Sequence, residues 1–211
     1  MKIIFTKFDK YTISSLPKAT FPGKIITVVK PEETEEAVEW LLKQEILGLD
    51  TETRPSFQKG KRYEVSLLQV STLDTCYLFR LHLTGITPAI IKLLEDKTVS
   101  KIGLSWHDDL SQLHRKADFK AGDFIELQDV ATQFGIKDKS LQKLFANLFH
   151  MKISKAQRLS NWEATELKEA QMLYAATDAW CCIKLYNEFK RLEETQDFEL
   201  DETEEEYHQM M

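Results

Sequence analysis

Glu45-Ile46-Leu47-Gly48-Leu49-Asp50-Thr51-Glu52 is a short apolar run that ends in two carboxylates two residues apart. A run of this length, rich in Ile and Leu, predicts a buried β-strand. Because side chains alternate across a strand, Asp50 and Glu52 are expected to project from one face, where both can grip the same cation. The alternative is an ordinary solvated strand end, and the motif alone leaves both readings open.

The segments around this run predict an α/β fold. Strands are expected at residues 24–30, 65–71, 75–80 and 98–104, and helices at residues 31–44, 88–95, 108–116, 127–134, 140–150 and 165–194, the last with Thr165 as its N-cap. An early meander of three strands, followed by alternating helices and strands, predicts a mixed sheet with helices on both faces.

Length and charge predict one domain with a distinct C-terminal tail. The 211 residues fit a single medium-sized domain. Nine of the 34 acidic residues lie between Glu193 and Glu206, so residues 1–192 carry 25 acidic and all 28 basic residues, a net charge of +3. We therefore expect an N-terminal extension at residues 1–23, a mildly basic body at 24–192, and an acidic, disordered tail at 193–211.

Composition also bears on the compartment. No apolar run approaches the roughly 20 residues of a membrane-spanning helix, and the N-terminus lacks a signal-peptide core. The three cysteines are odd in number, have no C-x-x-C spacing, and are expected to be buried thiols. A cytoplasmic protein without membrane contact is therefore expected.

Two further acidic positions stand out in predicted helices. Tyr174 and Asp178 are four residues apart, which places the phenol and the carboxylate on one helical face. The alternatives are a core tyrosine and a local ion pair. Asp108 and Asp109 begin another helix, where the helix dipole favours acids without any further role. Asp109 shares a face with Leu113, so Asp109 rather than Asp108 is expected to point inward.

Three ordered segments resemble the exonuclease motifs of the DEDDy 3'-5' exonuclease superfamily, in the RNase D and Werner-type branch. They are residues 49–52, 103–113 and 173–178, and residues 140–144 and 159–162 add to the likeness. The resemblance covers roughly residues 24–192. The residues before Asp108, Trp106-His107, depart from the usual pattern of the second motif.

This resemblance implies an RNase H-like (DnaQ-like) mixed sheet flanked by helices, with Asp50, Glu52, Asp109 and Asp178 holding two Mg2+ or Mn2+ ions. Tyr174 would position the attacking water or help to deprotonate it. The implied activity is hydrolysis of a single-stranded or fraying nucleic acid from its 3' end, releasing nucleoside 5'-monophosphates, with DNA slightly favoured over RNA. A catalytically inactive nucleic-acid-binding or scaffold module on the same fold is the alternative.

Basic and aromatic residues near the motifs are candidates for substrate binding. An acid-free loop follows Glu52, a second basic cluster precedes residue 160, and a tryptophan beside it could stack on a base. The alternatives are a solvated loop and a core tryptophan. The candidates are Arg54, Lys59, Lys61, Arg62, Lys155, Arg158 and Trp162.

Overall fold

A six-stranded mixed sheet forms the centre of the molecule, and the computed structural model describes residues 1–202. Its strands, in spatial order, are β2 (Lys24–Val28), β5 (Thr75–Phe79), β4 (Val65–Ser71), β3 (Ile46–Thr53), β6 (Ser100–Gly103) and β7 (Phe124–Glu126). β3, β4 and β5 form the expected antiparallel meander, whereas β2 pairs parallel with β5, and β6 pairs parallel with both β3 and β7.

Helices cover both faces of this sheet, which confirms the predicted fold class. They are α1 (Glu33–Leu41), α2 (Leu81–Thr84), α3 (Pro88–Glu95), α4 (Trp106–His114), α5 (Leu127–Gln133), α6 (Leu141–Phe149) and α7 (Glu169–Thr195). Apolar residues of α1, α3 and α4 form a buried cluster with Leu47 and Leu49 on one face. On the other face, α7 packs across β5, β4, β3 and β6. α5 and α6 in turn pack against α7.

α7 approaches the sheet closely at Gly48. A Cβ atom at Gly48 would lie 2.0 Å from the carbonyl oxygen of Ala179, closer than any real contact. The facing residues of α7 are small as well, since Ala175, Ala176 and Ala179 are buried. Because side chains alternate along β3, Asp50 and Glu52 share the α7 face with Gly48, whereas Thr51 and Thr53 share the opposite face with Leu47 and Leu49.

The start of α7 differs from the prediction. The helix begins at Glu169 after Lys168, and Thr165 is not its N-cap. The guanidinium of Arg80, which is 1% exposed, donates a hydrogen bond to the carbonyl oxygen of Ala164 and another, 3.4 Å long, to that of Thr165. These bonds fix the segment before α7 in an irregular conformation, which local sequence does not reveal.

The C-terminal segment is ordered as far as it is described, so the prediction of disorder from residue 193 is wrong for residues 193–202. Residues 193–195 complete α7, and β8 (Phe198–Asp201) pairs in parallel with β1 (Lys2–Phe5) in a separate two-stranded sheet. The rings of Phe198 and Phe134 lie 5.3 Å apart, and this apolar packing outweighs the local acidic charge. The rest of the predicted tail, residues 203–211, lies outside the described residues.

Within residues 1–202, none of the helices combines the length and the apolar character needed to cross a bilayer.

Candidate active site

Three carboxylates meet where β3 runs beneath α7. Ligand oxygens of Asp50, Glu52 and Asp178 all lie within 4.8 Å of one another. Glu52 is 9% exposed and Asp178 is 6% exposed. The alternation of β3 aims Asp50 and Glu52 at α7, and the close packing of α7 over Gly48 brings Asp178 to them. The structure therefore joins two sequence segments that are more than 120 residues apart.

Burial and mutual repulsion shift the pKa values of these acids upward. Burial, followed by the negative charges of Asp50, Asp178 and Asp109, raises the pKa of Glu52 to about 10. Burial raises the pKa of Asp178 to about 7, and it holds the pKa of Asp50 well above its usual range. Crowded, buried carboxylates of this kind become favourable when a cation offsets their charge, and oxygen ligands suit hard divalent ions. The residues present therefore fit a metal site.

Tyr174 lies one helical turn before Asp178, as the spacing predicts. Its hydroxyl lies beside the Asp178 carboxylate and interacts with it. Burial, with further contributions from Asp178 and Glu52, raises the pKa of the Tyr174 phenol far above its usual value. The phenol therefore keeps its proton at neutral pH and can act as a hydrogen-bond donor.

Asp109 approaches the same end of the sheet from α4. The Thr51 hydroxyl donates a hydrogen bond to the Asp109 carboxylate, which is half-buried. Burial raises the pKa of Asp109 to about 6, and its charge acts on both Asp50 and Glu52. Asp109 is not a member of the tight three-carboxylate group. Asp108 is exposed beside it.

A glutamate that sequence reasoning missed fixes the start of α4. The Glu126 carboxylate accepts hydrogen bonds from the backbone N–H groups of Ser105, at 3.0 Å, and Trp106, at 2.8 Å. Ser105 itself has a φ of 66°, in the left-handed region. Glu126 thus caps the helix that carries Asp109. No local pattern points to this role, because the cap comes from a strand 20 residues further along the chain.

Gln69 is a second missed residue beside the acids. It pairs with Asp50 across β3 and β4, so the two side chains share a face. Gln69 is fully buried, and within residues 1–202 neither its amide nitrogen nor its amide oxygen has a hydrogen-bond partner. A glutamine between Leu68 and Val70 in a strand of mostly apolar residues was the sequence signal available for it.

The predicted basic residues lie on two segments, residues 54–62 and residues 155–158. Lys59, Lys61 and Arg62 are exposed in the loop that follows β3. Arg54 in the same loop forms an ion pair with Glu163 at 3.3 Å, and its guanidinium lies 4.7 Å from the ring centre of Tyr63.

The second basic segment, residues 155–158, precedes α7 along the chain. Lys155 and Arg158 are both exposed. The positive charge of Arg158 lowers the pKa of Glu52, which places Arg158 within electrostatic reach of the acids.

Trp162 is not accessible for stacking on a nucleobase. The prediction that it binds substrate is therefore wrong. The side chain is fully buried in a cluster with Phe21, Leu67 and Ala176. Its ring lies 6.0 Å from that of Tyr174. Trp162 therefore supports the tyrosine from the core, and it offers no face to a nucleobase.

Comparisons with known proteins agree with this geometry. The model of the 3'-5' exonuclease family matches residues 25–193. The bifunctional 3'-5' exonuclease/ATP-dependent helicase WRN of Mus musculus is 33% identical over 202 residues, 90% of this chain and 14% of that protein. A 3'-5' exonuclease of Arabidopsis thaliana is 30% identical over 209 residues, 89% of this chain and 72% of that protein. The chain thus spans a small part of the first relative and most of the second.

Solved structures share the architecture. The Nibbler EXO domain of Aedes aegypti superposes with a TM-score of 0.75 and 21% identity, over 84% of this chain and 94% of that one. Trypanosoma brucei RNase D in complex with RNA U12 gives a TM-score of 0.69 and 19% identity, over 80% of this chain and 63% of that one. These likenesses show the RNase H-like α/β fold. Since the family model also spans the sheet and every acid of the site, the chain belongs to the DEDDy 3'-5' exonuclease superfamily, in the RNase D and Werner-type branch.

Proposed function

We propose that the protein is a metal-dependent hydrolase that removes nucleoside 5'-monophosphates from the 3' end of a single-stranded or fraying nucleic acid. The observation that carries this proposal is the buried group of Asp50, Glu52 and Asp178. Three uncompensated carboxylates at one point cost free energy, so their convergence favours a cation-binding role over a structural one.

Asp50, Glu52 and Asp178, with Asp109 from α4, would hold two Mg2+ or Mn2+ ions. When bound, such ions lower the pKa of water and neutralise charge on the phosphate and the leaving oxygen. The positions of the four carboxylates are fixed by three elements. β3 carries Asp50 and Glu52, α4 carries Asp109 and α7 carries Asp178. Ca2+ is a poor substitute, since its larger size and looser coordination fit such a site less well.

Tyr174 positions the attacking water in this proposal. Its strongly raised pKa makes the phenol a poor base at neutral pH. Its contact with Asp178 holds the hydroxyl beside the carboxylates, where it can direct a water by a hydrogen bond. Orientation by a fixed donor lowers the barrier without any proton transfer to the side chain.

The two basic segments provide the path for the nucleic-acid backbone. Phosphate contacts come mainly from Lys and Arg, and they position a strand without reading its sequence. Arg54 directly follows β3, and the charge of Arg158 acts on Glu52, so both segments come near the acids where the 3' end would be held. The proposed contacts are Arg54, Lys59, Lys61, Arg62, Lys155 and Arg158.

We propose that DNA is slightly favoured over RNA. The third motif resembles the Werner-type branch, and 33% identity to WRN supports this direction. The RNA in the RNase D complex supports nucleic acid as the general class of ligand. Discrimination depends on how the site treats the 2'-hydroxyl group.

A degradation assay on matched 5'-labelled DNA and RNA strands tests the proposal. With Mg2+ or Mn2+ we expect a ladder that shortens from the 3' end, with nucleoside 5'-monophosphates as products and a faster rate on DNA. EDTA or the Asp50→Asn variant should abolish the ladder. Full cleavage in EDTA would contradict metal dependence, and tight binding without cleavage in any divalent ion would favour the inactive binding module.

A further inference from the structure

Thr51 lies between Asp50 and Glu52 on β3 and forms hydrogen bonds with two acids of the site, Asp50 and Asp109. Its backbone N–H donates a 2.8 Å hydrogen bond to Oδ1 of Asp50. Its hydroxyl donates to Oδ1 of Asp109 on α4. One residue on β3 therefore links the carboxylates of two separate elements through its two hydrogen-bond donors.

A second contact on the same face aligns the helix with the strand. Thr53, two residues along β3, donates a 3.1 Å hydrogen bond from its hydroxyl to Oε1 of Gln112. Gln112 lies one turn after Asp109 on α4, so the two threonines face two helical residues on the same side. Thr51 donates to a carboxylate, that of Asp109, whereas Thr53 donates to an amide oxygen, that of Gln112.

The orientation of Asp109 depends on the first contact. Among residues 1–202, Thr51 is the hydrogen-bond partner of the Asp109 carboxylate, and it engages Oδ1. This bond leaves Oδ2 available to a cation. Groups that bind a metal ligand from behind commonly fix its direction and strengthen its hold on the ion.

We infer that Thr51 is a positioning residue of the metal centre, whose hydroxyl orients Asp109 toward a divalent cation. This inference rests on the proposed function, because it assumes that the acids bind ions. A side chain of the same shape without a hydroxyl should free Asp109 to rotate. Loss of the hydroxyl should weaken binding of the ion that Asp109 holds. It should leave the affinity for the second ion unchanged.

Calorimetric titration with Mn2+ alone, in the absence of nucleic acid, tests this directly. We expect the wild type to bind two ions, and Thr51→Val to bind one of them about tenfold or more weakly while the other is unchanged. Thr51→Ser, which keeps the hydroxyl, should restore the affinity. Thr53→Val is the matched control, since it removes a contact between α4 and β3 without touching a carboxylate, and its Mn2+ affinities should equal those of the wild type.

A double variant makes the coupling explicit. If Thr51 acts through Asp109, Thr51→Val should cause no further loss in the Asp109→Asn background. Thr51→Ala serves in place of valine if valine disturbs the fold, as judged by circular dichroism.

The outcomes separate this inference from the proposed function. A wild type that binds no Mn2+ overturns the proposed function and the inference with it. A wild type that binds two ions beside a Thr51→Val variant of equal affinity overturns the inference alone. Equal losses in Thr51→Val and Thr53→Val also overturn it, because they would trace the effect to the docking of α4.

Discussion

Glu52, Asp178 and Asp109 bind protons more tightly in the folded chain than their ordinary pKa values allow. Burial is the largest cause in each case, and the pKa values rise to about 10, about 7 and about 6. Between roughly pH 4 and pH 10 these three side chains therefore hold more protons in the folded chain than in the unfolded chain. Because these side chains release protons on unfolding, their contribution to the free energy of unfolding falls as the pH rises through this window.

We therefore expect the melting temperature in EDTA to fall between pH 5 and pH 8. Each group that differs by a full proton contributes at most about 1.4 kcal/mol per pH unit. Asp178→Asn removes one titrating group, so its melting temperature should depend less steeply on pH. Thermal melts at several pH values measure both slopes, and a melting temperature that rises with pH in the wild type but not in Asp178→Asn would contradict the raised pKa values.

The Tyr174 hydroxyl should matter for turnover and not for ion binding. Tyr174→Phe keeps the ring that packs near Trp162 and removes the hydroxyl that contacts Asp178. We expect turnover to fall by up to about 100-fold, because an unguided water attacks less efficiently. Mn2+ affinity by calorimetry and the Michaelis constant for an oligonucleotide should stay near wild-type values. An unchanged turnover number would show that Tyr174 serves only the core.

At the scale of elements, α4 places Asp109 against β3 and leaves Asp108 exposed to solvent. Asp109 is half-buried against Thr51, whereas Asp108 lies about 100° around the helix and is exposed. We expect Asp109→Asn to abolish cleavage and Asp108→Asn to retain most of it, with a small loss from the weakened helix dipole. Turnover of a labelled oligonucleotide at saturating Mn2+ measures both. An inactive Asp108 variant beside an active Asp109 variant would shift the second motif by one residue.

The packing of α7 on β3 sets the spacing of the acids. A methyl group at Gly48 would meet the Ala179 carbonyl oxygen at 2.0 Å, so Gly48→Ala must push the helix away and move Asp178 from Asp50. We expect about 1–3 kcal/mol of lost stability and weaker Mn2+ binding. Gly85→Ala is the control: Gly85 has a φ of 68° and open space within 4 Å of the position that a Cβ would take, so strain should cost stability without changing Mn2+ affinity. Equal Mn2+ affinity in both variants would contradict this account.

Across the whole molecule, the residues that sequence reasoning located share local patterns. The period of two in β3 placed Asp50 and Glu52 on one face, and the helical spacing placed Tyr174 beside Asp178. Trp162 could not be placed in the core this way, because its burial depends on Phe21 and Leu67 from distant segments. The cap of α4 by Glu126 and the fixed segment before α7 likewise depend on contacts between elements.

β8 is the clearest case of a structure that local sequence patterns could not predict. Its acidic composition predicts disorder, yet its partner is β1 at the other end of the chain, with Phe5 opposite Asp201. A pairing across almost the whole length of the chain leaves no trace in a local window. The family model covers residues 25–193. The pairing of β1 with β8 therefore adds a structured region outside the part that the family model covers.

The stability of this terminal sheet should depend on the apolar side chains of β8 and not on its charge. Phe198 and Leu200 are half-buried against the helical layer, whereas Glu199 between them is exposed. In the full chain, Phe198→Ser with Leu200→Ser should cost about 2–3 kcal/mol, or roughly 4–12 °C in melting temperature for a chain of this length. Glu199→Ser is the matched control on the same strand and should leave the melting temperature nearly unchanged. Thermal melts and amide exchange of residues 2–5 report on the sheet, and equal melting temperatures in all three proteins would mean that β8 contributes nothing to the fold.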